Sequence, residues 1–270
     1  MSSDPSLCPL RVTAYLQAGI VHSHSWGIAL DGLLASQLHA QATAEELDAG
    51  AVPVPVMELD DVEDLELPLA RCLGQGDDWH WSATCAWPEP AGTDQQDPNH
   101  AAELIEALDV GDFEVRTWYS FPDHDILERL TLALPLHVDD ERGRWRRYAM
   151  PQLVTMTPAL TWRAVGDVDA VRALLEPVRA IGKSRARGEG TVLRWEVTPQ
   201  PSWDPWEAGH LHPDSSLGRP TPAACLTDRA AIRDGGLSWT GLRPPYRHPS
   251  RRRQLHRPLP WHLEQEHQVQ

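Results

Sequence analysis

The residues best suited by type and spacing to do chemistry lie at 181–190, Ile-Gly-Lys-Ser-Arg-Ala-Arg-Gly-Glu-Gly. Gly182, Gly188 and Gly190 permit positive φ and a close approach of backbone to a ligand. Lys183, Arg185 and Arg187 set cations at alternate positions, with Ser184 between the first two. Such a loop can track a phosphodiester backbone through N–H groups and guanidinium forks. A mononucleotide phosphate loop needs a strand, then G-x-x-x-x-G-K-[ST], then a helix. Here only Gly182-Lys183-Ser184 fits: Pro177 stands where the first glycine belongs, and the order is helix, loop, strand. A solvated surface turn is the plain alternative.

A second basic cluster, Arg144-Trp145-Arg146-Arg147-Tyr148, combines phosphate-gripping arginines with two rings able to stack a base. The whole chain of 270 residues carries a net charge of −15, which by itself argues against nucleic acid. The two halves differ sharply. Residues 1–140 hold 4 Lys+Arg against 26 Asp+Glu, a balance of −22, and residues 141–270 hold 20 against 13, a balance of +7. This asymmetry suggests a polyanion-facing surface in the second half and an acidic surface turned to solvent or protein partners in the first. Lys183 is the only lysine. A GC-rich genome accounts for that arginine bias, but not for its concentration in one half.

Other constellations are weaker. His22-x-His24 and His210-x-His212 could each put two imidazoles on one strand face, but zinc needs three or four ligands, and no Cys or further His follows at zinc spacing. Asp123-His124-Asp125 reads as a polar turn. Cys8, Cys72, Cys85 and Cys225 show no C-x-x-C and no disulfide framework, and read as reduced core thiols. No metal and no cofactor is expected. His22, His24 or His39 could act as base or acid in metal-independent RNA cleavage, with Lys183 stabilising the transition state. No G-x-S-x-G elbow is present for serine-hydrolase chemistry.

These residues need a frame. Residues 10–16 alternate as a strand, and 28–41 place Leu30, Leu33, Leu34 and Leu38 at helical spacing. Strands are predicted at 79–87, 113–119, 126–136, 153–165 (interrupted at Pro158) and 191–198. A short helix is predicted at 100–109 and an amphipathic one at 168–180, with Asp167 or Asp169 near its start. Residues 52–73 read as an edge strand and an acidic loop. From Pro199 onward prolines, tryptophans and histidines dominate, which suggests an irregular C-terminal extension, with short strands near 237–240. The expected division is 8–199 for the main domain and 200–270 for the extension, its tail frayed. No run approaches the ~20 apolar residues of a membrane helix, and no secretory leader is visible, so a cytoplasmic protein is expected.

The helix, the segment Ile-Gly-Lys-Ser-Arg-Ala-Arg-Gly-Glu-Gly-Thr-Val and the following strand resemble the glycine-rich loop of the RAMP superfamily of CRISPR-associated proteins. Pro9-Leu-Arg-Val-Thr-Ala-Tyr-Leu16, Leu30-Asp-Gly-Leu-Leu-Ala35 and Arg243-Pro-Pro-Tyr246 resemble, more narrowly, the RAMP subunit of type IV CRISPR effector complexes that caps the 5′ handle of the guide RNA. The resemblance touches about 1–41, 142–198 and 237–262. It implies an α+β, modified ferredoxin-like (RRM-like) fold, guide-RNA binding without cleavage, and assembly with backbone and large subunits of a ribonucleoprotein complex. It carries over to Gly182, Lys183, Arg185, Arg187, Gly188 and Gly190. Glu189 departs from the pattern, since an acid there repels phosphate unless paired; Arg187 or Arg185 is the expected partner. An endoribonuclease of the same superfamily, and a structural interaction protein without RNA contact, stay open as alternatives.

Overall fold

The computed structural model describes residues 7–22, 24–59, 62–73, 77–89, 112–120, 148–227, 229 and 232–261. Alternation in the first segment produces β1 (Cys8–Leu16). Leu10, Val12, Ala14 and Leu16 point into the core, and Arg11, Thr13 and Tyr15 face the other side. β1 lies between β7 (Ala159–Gly166) and β8 (Val192–Pro199), antiparallel to both; Val12 is opposite Trp162 on one side and Val197 on the other. β4 (Trp87–Glu89) adds to the far edge of β7, giving an antiparallel sheet of order β4-β7-β1-β8.

Two helices supply the other half of the core. α1 (Leu30–Asp48) buries Leu30, Asp31, Leu34 and Ala35, and its polar second half is largely exposed. The sequence periodicity therefore captured only the packed half. α2 (Val168–Leu175) is capped by Asp167, whose carboxylate accepts from the N–H groups of Asp169 and Ala170 at 3.0 and 2.9 Å. It buries Val171 and Leu175 and stops earlier than expected, two residues before Pro177. Trp162 is fully buried, and its indole N–H donates to Ile28 O at 2.7 Å, so no polar atom is stranded. The molecule is thus a mixed α+β protein with antiparallel sheets.

Three two-stranded ribbons accompany the sheet among the described residues. β2 (Arg71–Cys72) pairs with β3 (His80–Trp81), and β5 (Asp112–Ser120) pairs with β6 (Tyr148–Met156). β9 (Leu237–Gly241) pairs with β10 (Arg252–His256), which supplies the strands expected near 237–240. The strand expected over 79–87 is broken: Ser82–Ala86 makes isolated bridges, Ala83 to Ala164 and Cys85 to Ala29, because it must serve both the sheet and the start of α1. The break at Pro158 falls between β6 and β7 as expected. The segments expected at 100–109 and 126–136 lie outside the described residues.

The C-terminal part carries two short helices, α3 (Pro205–His210) and α4 (Ala223–Leu226). Buried arginines fasten it. Arg219 donates to Trp81 O, to Ala83 O at 3.0 Å and to Leu242 O at 2.9 Å, and its guanidinium lies 3.7 Å from the buried Asp31 carboxylate. Tyr246 donates its hydroxyl to Asp31 at 2.5 Å, and its ring packs beside Gly32, where a Cβ would come within 3.1 Å. Burial pushes the Asp31 carboxyl above its ordinary range, against the pull of Arg219 and the Tyr246 hydroxyl. The 30–35 and 243–246 segments are therefore two sides of one buried lock.

Candidate nucleic-acid interface

The glycine-rich loop is anchored at its base by backbone hydrogen bonds. At its base Ile181 N–H donates to Gly190 O at 2.9 Å, Gly190 N–H to Gly19 O at 3.0 Å and Lys183 N–H to Val21 O at 2.7 Å. Gly182 and Gly190 have φ of +81° and +65°, and a Cβ would fall 2.4 Å from Val21 O and 2.0 Å from Ile181 O. Only glycine fits either place. Gly188, at φ +89°, has open space around it, so its requirement is conformational alone. Between them Arg185–Arg187 form a single 3-10 turn, entered through Ser184 in the left-handed region at φ 59°.

Lys183 before this turn, and Arg185 and Arg187 on it, are all exposed. None of the three has an ion-pair partner among the described residues; Arg187 lies over the Trp118 ring, 5.1 Å from its centroid. Glu189 behaves differently from its neighbours. It is 2% exposed and pairs with Arg116 on β5 at 2.7 Å. This corrects the expected partner, Arg185 or Arg187. Glu189 is folded under the loop rather than displayed on it, so its charge does not face a ligand.

The β5–β6 ribbon stands beside the loop. Ser184 Oγ donates to Gln152 Oε1 at 2.5 Å, and Thr155 exchanges backbone hydrogen bonds of 2.9 Å with Ile20. Tyr119 and Tyr148 are exposed along the ribbon, 63% and 42%. Arg144, Trp145, Arg146 and Arg147 lie outside the described residues. At about 3.4 Å per strand residue, Tyr148 is about 14 Å along the ribbon from Gln152.

The histidines separate. His22 Nε2 meets Thr155 Oγ1 at 3.1 Å, and its ring tilts on Trp261 with centroids 4.5 Å apart. His24 stacks on Trp26 and is held below its usual pKa by partial burial and by the charges of Arg247 and Lys183. Both sit beside the glycine-rich loop, and His39 is exposed on α1. His210 and His212 do not share a face: His210 closes α3, and His212 packs on Trp87, with centroids 4.8 Å apart. Burial pushes His212 down to about 4. Asp123, His124 and Asp125 lie outside the described residues.

Two features escaped the sequence reading. The outer face of the sheet carries a cleft of about 300 Å³ lined by Arg11, Arg163, Glu89 and Trp203. In addition, the C-terminal arginines are not a free basic tail. Arg243 binds Asp64 at 3.0 Å and Asp77 at 2.5 Å, Arg251 binds Asp64 at 2.8 Å, and Arg253 binds Asp77 at 2.6 Å and Asp78 at 2.8 Å. Part of the acidic first half is thereby neutralised by the basic second half inside one molecule. The only sequence signal was the excess of acids in the first half, which does not say which cations they meet.

No helix among the described residues is long and apolar enough to cross a membrane. A search of characterised proteins returned no match. The family model described as CRISPR type IV associated protein Csf3 matches residues 8–233, which takes in the sheet, both core helices, the glycine-rich loop and the start of the C-terminal part. With most of its length matched, this chain belongs to that family and is a type IV CRISPR-associated subunit.

Proposed function

We propose that this protein binds the 5′ repeat-derived handle of a guide RNA and caps the backbone filament of a type IV CRISPR ribonucleoprotein effector, without cleaving the RNA. The observation that carries this reading is the contrast inside one loop. Three cations are exposed on a loop whose base is held by backbone hydrogen bonds, and the single acid, Glu189, is buried against Arg116. A preorganised positive turn of this kind grips phosphate without an ordering cost at the moment of binding. The exposed tyrosines of the β5–β6 ribbon supply stacking surface, and Trp145 would add a further ring and Arg144, Arg146 and Arg147 further phosphate contacts. The strand order β4-β7-β1-β8, with α1 following β1 and α2 following β7, supports a ferredoxin-like RAMP core. Backbone and large subunits of the complex would be the protein partners.

A ribonuclease reading has one observation in its favour: His22 and His24 lie beside Lys183. One experiment separates the two. Full-length protein is incubated with 5′-labelled repeat RNA without added divalent metal, and the mixture is divided between native and denaturing gels. A mobility shift with intact RNA is expected. A discrete cut lost in His24→Ala would replace the proposal with the nuclease. Neither shift nor cut would remove RNA contact from the function of this chain and favour a structural interaction protein.

A further inference from the structure

The cysteine and histidine pattern shows no metal-binding spacing along the chain, yet four of these residues meet in space. Cys72 and His80 are opposite each other across the β2–β3 hairpin. His210 ends α3, and Cys225 lies on α4. Their ligand atoms, Sγ, Nε2, Nε2 and Sγ, all fall within 4.8 Å of one another. The edges are 3.6 Å between the two sulfurs, 3.6 Å from Cys225 Sγ to His210 Nε2 and 2.9 Å between the two Nε2 atoms. Zinc bonds of about 2.3 Å to sulfur and about 2.0–2.1 Å to nitrogen, at tetrahedral angles, give edges of about 3.8, about 3.6 and about 3.3 Å respectively. The sulfurs are also too far apart for a disulfide, whose S–S bond is about 2.05 Å.

The surroundings suit a metal. His210 Nδ1 is 2.7 Å from Trp206 O. A carbonyl only accepts, so Nδ1 carries the proton and the Nε2 lone pair is directed into the cluster. Trp206 stacks on the same imidazole at 4.5 Å and 5°, which fixes its orientation. His80 is fully buried and His210 1% exposed, and the thiols are half-buried. Two thiolates cancel the charge of a divalent ion, so the occupied site would be neutral. The nearby Arg219 has its own counter-charge in Asp31.

We propose that Cys72, His80, His210 and Cys225 bind one zinc ion in a closed Cys2His2 site that pins the C-terminal part of the chain to the β2–β3 hairpin. All four positions are filled by protein, which is the arrangement of a structural rather than a catalytic zinc. Two ligands come from residues 72–80 and two from 210–225, and His80 is 130 residues from His210. The ion would therefore close a long loop that the hairpin by itself does not hold. This site is independent of the glycine-rich loop, so it stands or falls separately from the RNA reading.

The test is metal analysis of the full-length protein purified with a thiol reductant and no chelator. About one zinc per chain is expected. Cys72→Ser, His80→Gln and Cys225→Ser should each lose most of it, and Cys8→Ser, outside the cluster, should keep it. If the cluster variants fail to fold, the wild-type chain still decides the matter. Stripped of metal and titrated with cobalt(II), it should develop the intense visible bands of tetrahedral cobalt together with a near-ultraviolet thiolate charge-transfer band. The proposal is overturned if the reduced wild-type chain neither contains zinc nor takes up zinc or cobalt. It is equally overturned if soluble Cys72→Ser and Cys225→Ser variants retain full zinc.

Discussion

Two arginine-rich regions of this chain look alike in sequence and do opposite things. The glycine-rich loop holds Lys183, Arg185 and Arg187 out in solvent and hides its one acid. The C-terminal region buries Arg243 to 1% exposure and Arg251 to 6%, and commits them with Arg253 to Asp64, Asp77 and Asp78. A cation already paired and desolvated has little left for a phosphate. An exposed one on a turn anchored at its base has its charge available. Clustering of basic residues therefore does not by itself mark a nucleic-acid surface; the position of the acids decides.

The comparison breaks most visibly at Arg243. Arg243→Ala removes a buried guanidinium that joins Asp64 and Asp77 to the backbone carbonyls of Asp77 and Trp79, and although Arg251 and Arg253 still pair the two carboxylates it should cost about 1.5–3 kcal/mol, read as a fall in Tm or in denaturant midpoint. The triple variant Lys183→Ala/Arg185→Ala/Arg187→Ala should do the reverse: an almost unchanged Tm, and a log–log salt dependence of RNA binding shallower by about 2 for three lost phosphate contacts on a single strand. Unchanged binding in that variant would take the loop out of the mechanism.

Smaller substitutions sharpen the distinction within the loop. Gly190→Ala meets the Ile181 carbonyl and should destabilise by about 1–3 kcal/mol, and Gly188→Ala, with open space around it, should cost about 1 kcal/mol or less in the same melt. The mildest effect concerns pH. Asp31 has its folded pKa raised by burial, so its contribution to stability is complete below its ordinary value of 3.8 and is lost as pH rises through the folded value. The Tm difference between Asp31→Asn and wild type should accordingly move in favour of the variant as pH increases above 3.8, whatever its offset at low pH. A flat or opposite trend would mean that Arg219 and Tyr246 outweigh burial.

Much of the frame was legible because its signals are local. Alternation in 10–16 marked β1, and the glycine spacing marked a loop between helix and strand, because turn chemistry and side-chain period act over a few residues. Even so, α1 ran further than its apolar stripe, since nothing in Ala40–Asp48 stops a helix before Gly50 at φ +78°. The 79–87 segment failed as a strand because two different partners compete for it.

By itself the sequence determined the family resemblance, the α+β class, and the three cations and three glycines of the candidate interface. Only the tertiary structure decided that Glu189 belongs to Arg116, that Asp31 belongs to Tyr246 and Arg219, and that Asp64 and Asp77 belong to Arg243. It alone brought Cys72 and His80 to His210 and Cys225. The physical reason is range. Propensity, capping and turn geometry are read from neighbours in the chain. A charge pair or side-chain cluster spanning more than 70 residues is selected by which strands pair and which side chains lose water together, and no local pattern records that choice.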